Sequence, residues 1–207
     1  MKIIEKNIET QIVEKKSKFI ANVFCVESVK EAEEVIKQVR KKYYDAKHNC
    51  FAYRVLENDS IIEKASDDGE PSGTAGMPML DILKGKDIVN CVAIVTRYFG
   101  GILLGTGGLV RAYSEAINKA IDEIKLFEIE EGYEIEIVLD YKNFKLFNYY
   151  CKTNNINVVK KEYNENIKIL LETNKEKKDE ICGNSEKTKF DVLECRIMSK
   201  KIIRKIN

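Results

Sequence analysis

Glycine placement constrains this chain more than any other feature. Nine of its 11 glycines (Gly69, Gly73, Gly76, Gly85, Gly100, Gly101, Gly105, Gly107 and Gly108) and both prolines fall between residues 69 and 108 of a 207-residue sequence. Glycine weakens helices and strands, so a chain concentrates it where the backbone must turn tightly or approach something closely. A functional site is therefore expected in this window, held by ordinary elements on either side. Hydrophobic residues make up 44% and charged residues 33%, a balance that builds a folded core and excludes wholesale disorder. The length suits one large domain or two small ones.

The flanking elements are read from periodicity. Residues 3–14 and 17–26 are expected as paired strands, and 28–42 as a helix capped by Ser28. Residues 48–56 and 60–65 are expected as a hairpin turning at Glu57-Asn58-Asp59. The apolar run 88–95 predicts a strand covered on both faces. Leu109, Ala112, Tyr113, Ala116, Ile117, Ala120 and Ile121 recur at helical spacing and predict an amphipathic helix over 106–124. The pattern then resets between about 127 and 132. Strand 133–139, helix 142–153, strands 155–161 and 166–172, helix 174–182 and strand 188–197 follow, with Lys200-Lys201 and Arg204-Lys205 as a solvated basic tail. This β-α-β-β-α-β order predicts a ferredoxin-like second domain. The expected class is α+β, with domains 1–130 and 131–207.

Thirty-five basic against 34 acidic side chains leave a net charge of +1, so no polyelectrolyte character points to a partner. Residues 1–130 carry 19 basic and 21 acidic residues, and residues 131–207 carry 16 and 13. The second half thus permits nucleic-acid contact without demanding it. No apolar run of about 18 residues exists, and the N-terminal residues lack the continuous apolar stretch of a secretory signal. The expectation is a cytoplasmic protein with no membrane contact. Six cysteines are spread without a CxxC pair, and are expected reduced and mostly buried. That spacing and the single histidine exclude a structural zinc site.

Three segments could carry chemistry. Ser66–Pro78 (SDDGEPSGTAGMP) holds Asp67, Asp68 and Glu70 within four residues. These could bind a divalent cation or ribose hydroxyls, or make turns while Ser72 and Thr74 cap the next helix. Arg97–Arg111 (RYFGGILLGTGGLVR) leaves the buried strand and enters the helix, an arrangement that presents backbone N–H groups to an anion. Gly100, Gly101, Gly105, Thr106, Gly107 and Gly108 would form that loop, with Arg97 and Arg111 bracketing it as phosphate ligands. The alternative is glycine that only permits close packing. Neither the Walker spacing nor GxGxxG is present. The third segment, Ala46–Arg54, puts His48 and Cys50 on one strand face, a loose arrangement for a thiol–imidazole pair. Tyr149 and Tyr150, beside Lys145 and Lys152, could stack on bases or pack in a core.

Together KKSKFIA (Lys15–Ala21), AKHNCFAYR (Ala46–Arg54), SDDGEPSGTAGMPML (Ser66–Leu80) and VTRYFGGILLGTGGLVRAYS (Val95–Ser114) resemble the YigZ/IMPACT family. The resemblance implies a first domain that is a β-α sandwich like the second domain of a small-subunit ribosomal protein, related to domain IV of elongation factor G. It implies a ferredoxin-like second domain related to domain V of that factor. Eukaryotic members regulate translation through partner proteins, and bacterial members carry a suggested nucleic-acid or ribosome connection. The family's motif residues fall here on His48, Asp67, Asp68, Glu70, Arg97 and Arg111. The leading expectation is a non-enzymatic, translation-associated protein that binds RNA or the ribosome and needs no cofactor. The alternatives are a hydrolase of phosphorylated or peptide substrates using the acidic and glycine-rich loops, and a protein-interaction regulator that does not touch nucleic acid.

Overall fold

In the computed structural model, residues 1–58, 60–183 and 188–205 are described; Asp59 of the expected hairpin turn lies outside them. The chain divides into two compact units, Met1–Phe127 and Glu128–Asn207. It is a mixed α/β protein with five helices and two sheets among the described residues. No helix among them is long and apolar enough to cross a membrane.

The first unit is built on an antiparallel sheet, order β2-β3-β6-β4-β5. Its strands are β2 (Ile8–Glu14), β3 (Ser17–Cys25), β4 (His48–Glu57), β5 (Ser60–Ser66) and β6 (Cys91–Tyr98). Side chains alternate across a strand, and the apolar run of β6 feeds two cores accordingly. Cys91, Ala93 and Val95 join the cluster beneath α2 (Gly76–Gly85) and α3 (Thr106–Asp122). Val92 and Ile94 join the opposite cluster under α1 (Val29–Lys42). Ser28 caps α1 through its hydroxyl, which accepts from Glu31 N–H at 3.1 Å.

Two strand boundaries differ from expectation. The first strand breaks after β1 (Lys2–Ile4), because the Asn7 side chain takes the Cys25 N–H at 2.8 Å and Lys2 turns to bridge Ile88 in parallel. Asn90, at φ +54°, turns the chain before β6, so Ile88 and Val89 are buried ahead of the strand proper.

In the second unit the elements run β7 (Leu126–Leu139, beginning just before the division), α4 (Tyr141–Thr153), β8 (Asn157–Tyr163), β9 (Ile167–Asn174), α5 (Lys175–Cys182) and β10 (Glu194–Arg204). β10, β7, β9 and β8 pair antiparallel in that order, in a five-stranded sheet in which β1 also pairs β7. Ile135, Ile137, Leu139, Ile167, Ile169 and Leu171 alternate inward to one core with Phe147 and Phe190.

One expectation is extended here and one fails. The basic residues Lys200, Arg204 and Lys205 are exposed, as expected of a solvated tail, but the segment from Lys200 to Arg204 is the second half of β10, paired with β7. The reason is charge complementarity across the ladder: Lys200 meets Glu131 at 3.5 Å and Lys201 bridges Glu134 and Glu172. The cysteines are not all reduced, since Cys182 and Cys195 are joined. The end of α5 and the start of β10 bring their Cα atoms to 5.4 Å, within bonding reach. Cys50, Cys91 and Cys151 are buried, whereas Cys25 is exposed.

Candidate functional site

The acidic segment connects β5 to α2 and is folded around its own carboxylates. Asp67 accepts N–H groups from Gly73 (2.8 Å), Ala75 (2.9 Å) and Gly76 (2.9 Å), capping α2 from outside the helix. Burial opposes its ionisation, but the three amide donations outweigh that cost and hold the carboxyl below the ordinary aspartate range. Thr74 does not cap α2; its hydroxyl donates to the Pro71 carbonyl at 2.7 Å, and Ser72 is exposed. Asp68, at φ +43°, accepts from Asn49 N–H at 2.8 Å and from Arg40 at 2.6 Å. Each of these oxygens is thus already engaged by the protein.

Glu70 reaches further inward. Its carboxylate is buried and accepts from Arg97 Nη1 at 2.7 and 3.0 Å and from the Tyr113 hydroxyl at 2.8 Å. The Arg97 guanidinium, itself buried, lies 5.5 Å from the Phe19 ring and 5.6 Å from the Phe99 ring. This ion pair joins the acidic segment to the start of the glycine loop. Cys50 completes the network, its thiol donating to the Asp67 carbonyl at 2.9 Å and lying 3.3 Å from the Tyr113 hydroxyl. Burial pushes that thiol up to about 12, so no thiolate is available as a nucleophile. His48 Nδ1 lies 3.0 Å from the Asp68 carbonyl. A carbonyl only accepts, so Nδ1 carries a proton there and Nε2 is the ring's acceptor nitrogen.

The glycine loop between β6 and α3 packs at one end and opens at the other. Gly100 donates its N–H to Ser17 Oγ at 3.1 Å, and a Cβ there would come within 2.0 Å of the Lys16 backbone. Gly101 follows at φ +86°, and Phe99, Ile102 and Leu103 stand 56%, 43% and 82% exposed. Gly105 is the N-cap of α3 at φ +72° with no side-chain cap, so the first-turn amides of Thr106, Gly107 and Gly108 lack intrahelical acceptors. Beside that turn is a cavity of about 140 Å³ lined by Lys15, Arg111, Glu14, Glu115, Leu104 and Gly108, among others. The arginines are therefore separated: Arg97 is held by Glu70, whereas Arg111 is exposed at the cavity.

Residues 15–121 match the Impact N-terminal domain family. The chain belongs to the IMPACT family. It is 49% identical over 120 residues to the IMPACT family member YvyE of Bacillus subtilis (strain 168), covering 58% of this chain and 55% of that protein. It is 37% identical over 161 residues to an IMPACT family member of Haemophilus influenzae, covering 76% and 77%. A crystal structure of a hypothetical protein superposes with a TM-score of 0.63 at 29% identity, over 93% of this chain and 95% of that one.

In this IMPACT family chain the matched stretch contains every group of the network and all of the cavity lining except Glu14. Two partners escaped the sequence reading. Tyr113 was indistinguishable from its apolar neighbours on the buried face of α3. Lys15 and Lys16 are the central residues of the β2–β3 hairpin, both left-handed at φ +46° and +64°. Such a turn favours Asn-Gly, so nothing in the residue types announces it. The paired strands expected over 3–14 and 17–26 already placed the turn at Lys15-Lys16, and what the sequence did not show was that Lys15 shares a cavity with the start of α3.

Proposed function

We propose that this protein is a translation-associated regulator that binds RNA or the ribosome through the end of the first unit where the β2–β3 turn meets the N-terminus of α3. One observation carries the reading: two lysines occupy left-handed backbone at the turn, where Asn-Gly would cost less. Lys15 lines the same cavity as Arg111 and the uncapped first turn of α3. Strain of that kind persists where something other than stability selects the residue. Membership of a family whose eukaryotic members regulate translation supplies the biological context. On the same reading the first unit is related to a small-subunit ribosomal protein domain and to domain IV of elongation factor G. The β10-β7-β9-β8 order supports a ferredoxin-like second domain related to domain V, and the protein works in the cytoplasm. The hydrolase reading is weaker, because Asp67, Asp68 and Glu70 are consumed by internal partners and Cys50 is held as a thiol.

The test is ribosome co-sedimentation and RNA affinity across a salt series. Arg111→Ala should weaken binding by about 1–3 kcal/mol and flatten the log–log salt slope by about one unit, with an unchanged melting temperature. Arg97→Ala should instead unfold the network, costing about 3–5 kcal/mol because Glu70 is left buried and unpaired. Unaltered binding in Arg111→Ala would sink the reading. The exposed Phe99, Ile102 and Leu103 favour a second one, a protein partner docking on the loop. Loss of partner capture in Leu103→Asp, with RNA binding intact, would select it.

A further inference from the structure

The second unit contains a groove of about 840 Å³ between α4 and the edge strand β8. Its lining combines aromatic faces (Phe144, Tyr149, Tyr163), two lysines (Lys152, Lys161) and three asparagines (Asn148, Asn155, Asn157), and includes no carboxylate. That is unusual in a chain with 35 basic and 34 acidic residues. Along both elements residues 141–163 carry Lys142, Lys145, Lys152, Lys160 and Lys161 against Glu162. After the Lys142–Asp140 and Lys160–Glu162 ion pairs, Lys145, Lys152 and Lys161 remain without a carboxylate partner among the described residues. Tyr149 and Tyr163 are 71% and 57% exposed, and so are not core side chains. Phe144 and Tyr163 meet edge to face at 5.8 Å, and Lys161 lies over the Phe144 ring at 5.1 Å while donating to Asn148 at 2.8 Å. The aromatic platform is therefore fixed in place, with one lysine built into it. Lys152 has no ion-pair partner among the described residues.

We propose that this groove binds single-stranded RNA. Bases would stack on Tyr149 and Tyr163, phosphates would meet Lys152, and the Asn155 amide would meet base edges, since Asn148 is held by Lys161 and Asn157 by Glu172. Open aromatic faces with interleaved cations and no carboxylate suit a strand whose bases are unpaired. A duplex hides its base faces, and an acidic peptide would leave the rings without a stacking partner. The residues are distinct from those of the Lys15–Arg111 cavity, so the two binding ideas stand or fall separately.

The experiment is fluorescence anisotropy of the full chain with a labelled oligouridylate, its annealed duplex, an oligothymidylate and an oligoglutamate. The single-stranded RNA should bind better than the duplex. Tyr149→Ala should weaken it about five-fold or more, Tyr149→Phe should restore it, and Lys152→Gln should flatten the salt slope by about one unit. Tyr149 is exposed, so its variant keeps the wild-type melting temperature. Equal binding of duplex and single strand, indifference to Tyr149→Ala, or preference for oligothymidylate would each overturn the proposal. Tyr149-dependent binding of oligoglutamate without RNA binding would make the groove a peptide site and overturn it too. Arg111→Ala run in parallel separates the ideas: loss of ribosome binding there with no Tyr149 effect rejects the groove and keeps the proposed function.

Discussion

Lys15 and Lys16 sit where the chain gains nothing in stability from lysine. Each occupies left-handed backbone, which costs an L-residue other than Gly or Asn on the order of 1 kcal/mol. The double substitution Lys15→Asn, Lys16→Gly should therefore raise stability by about 1 kcal/mol while weakening ribosome or RNA binding. Paired urea melts and co-sedimentation check this, and a variant that is both stabler and fully binding would remove the functional reason for the strain. Asp67 makes the opposite case, a motif residue kept for the fold. Its folded-state pKa lies below the ordinary 3.8, so it stabilises the protein above that value and loses the contribution as pH falls through the depressed one. Asp67→Asn should cost about 2–4 kcal/mol at neutral pH, and the gap to wild type should narrow in urea melts only below pH 3.8. A gap that closes nearer neutrality would mean another group governs it. The sequence showed three carboxylates in four residues but not which would be consumed. That depends on Gly73, Ala75 and Gly76 wrapping back onto Asp67, a contact between residues six to nine apart that no period reports.

At the scale of elements, periodicity served where one face is buried and failed where pairing is long-range. The helix expected over 106–124 is α3, because seven apolar residues face one core. The doubly covered strand was legible as an apolar run, although its start moved to Cys91 once Asn90 turned the chain. The β-α-β-β-α-β order was legible from alternation, but the end of β10 was not. Its lysines read as a tail until the acidic alternation of β7 lies beside them, and that register is set across more than sixty residues. The Cys182–Cys195 bond escaped for the same reason: two cysteines 13 residues apart bond only if α5 and β10 place them together. Closing a loop of that length stabilises by roughly 3 kcal/mol in the chain-entropy account. Cys182→Ser should lower the stability of the second unit by up to that amount under oxidising conditions. Reductant should bring wild type down to the variant, and a melting temperature that ignores both changes would show the bond to be without weight.

Across the whole molecule, the two units are independent accumulations of core. Both clusters of the first, under α2–α3 and under α1, are drawn from residues up to Leu126, and the core of the second runs from Tyr133 to Cys195. The family match ends at residue 121, inside the first. A unit whose core is internal to it should fold alone, so residues 1–127 expressed by themselves should melt cooperatively. They should keep the Arg111-dependent part of ribosome or RNA binding, because the hairpin turn, the cavity and the start of α3 all lie within them. They should lose all dependence on single-stranded RNA stacking, since Tyr149 and Tyr163 are gone. Calorimetry of the fragment and the full chain, with anisotropy on both, measures each part. A fragment with no cooperative transition would show that the first core needs the second unit. A folded fragment that retains oligouridylate affinity undiminished would move RNA recognition wholly to the glycine-rich end.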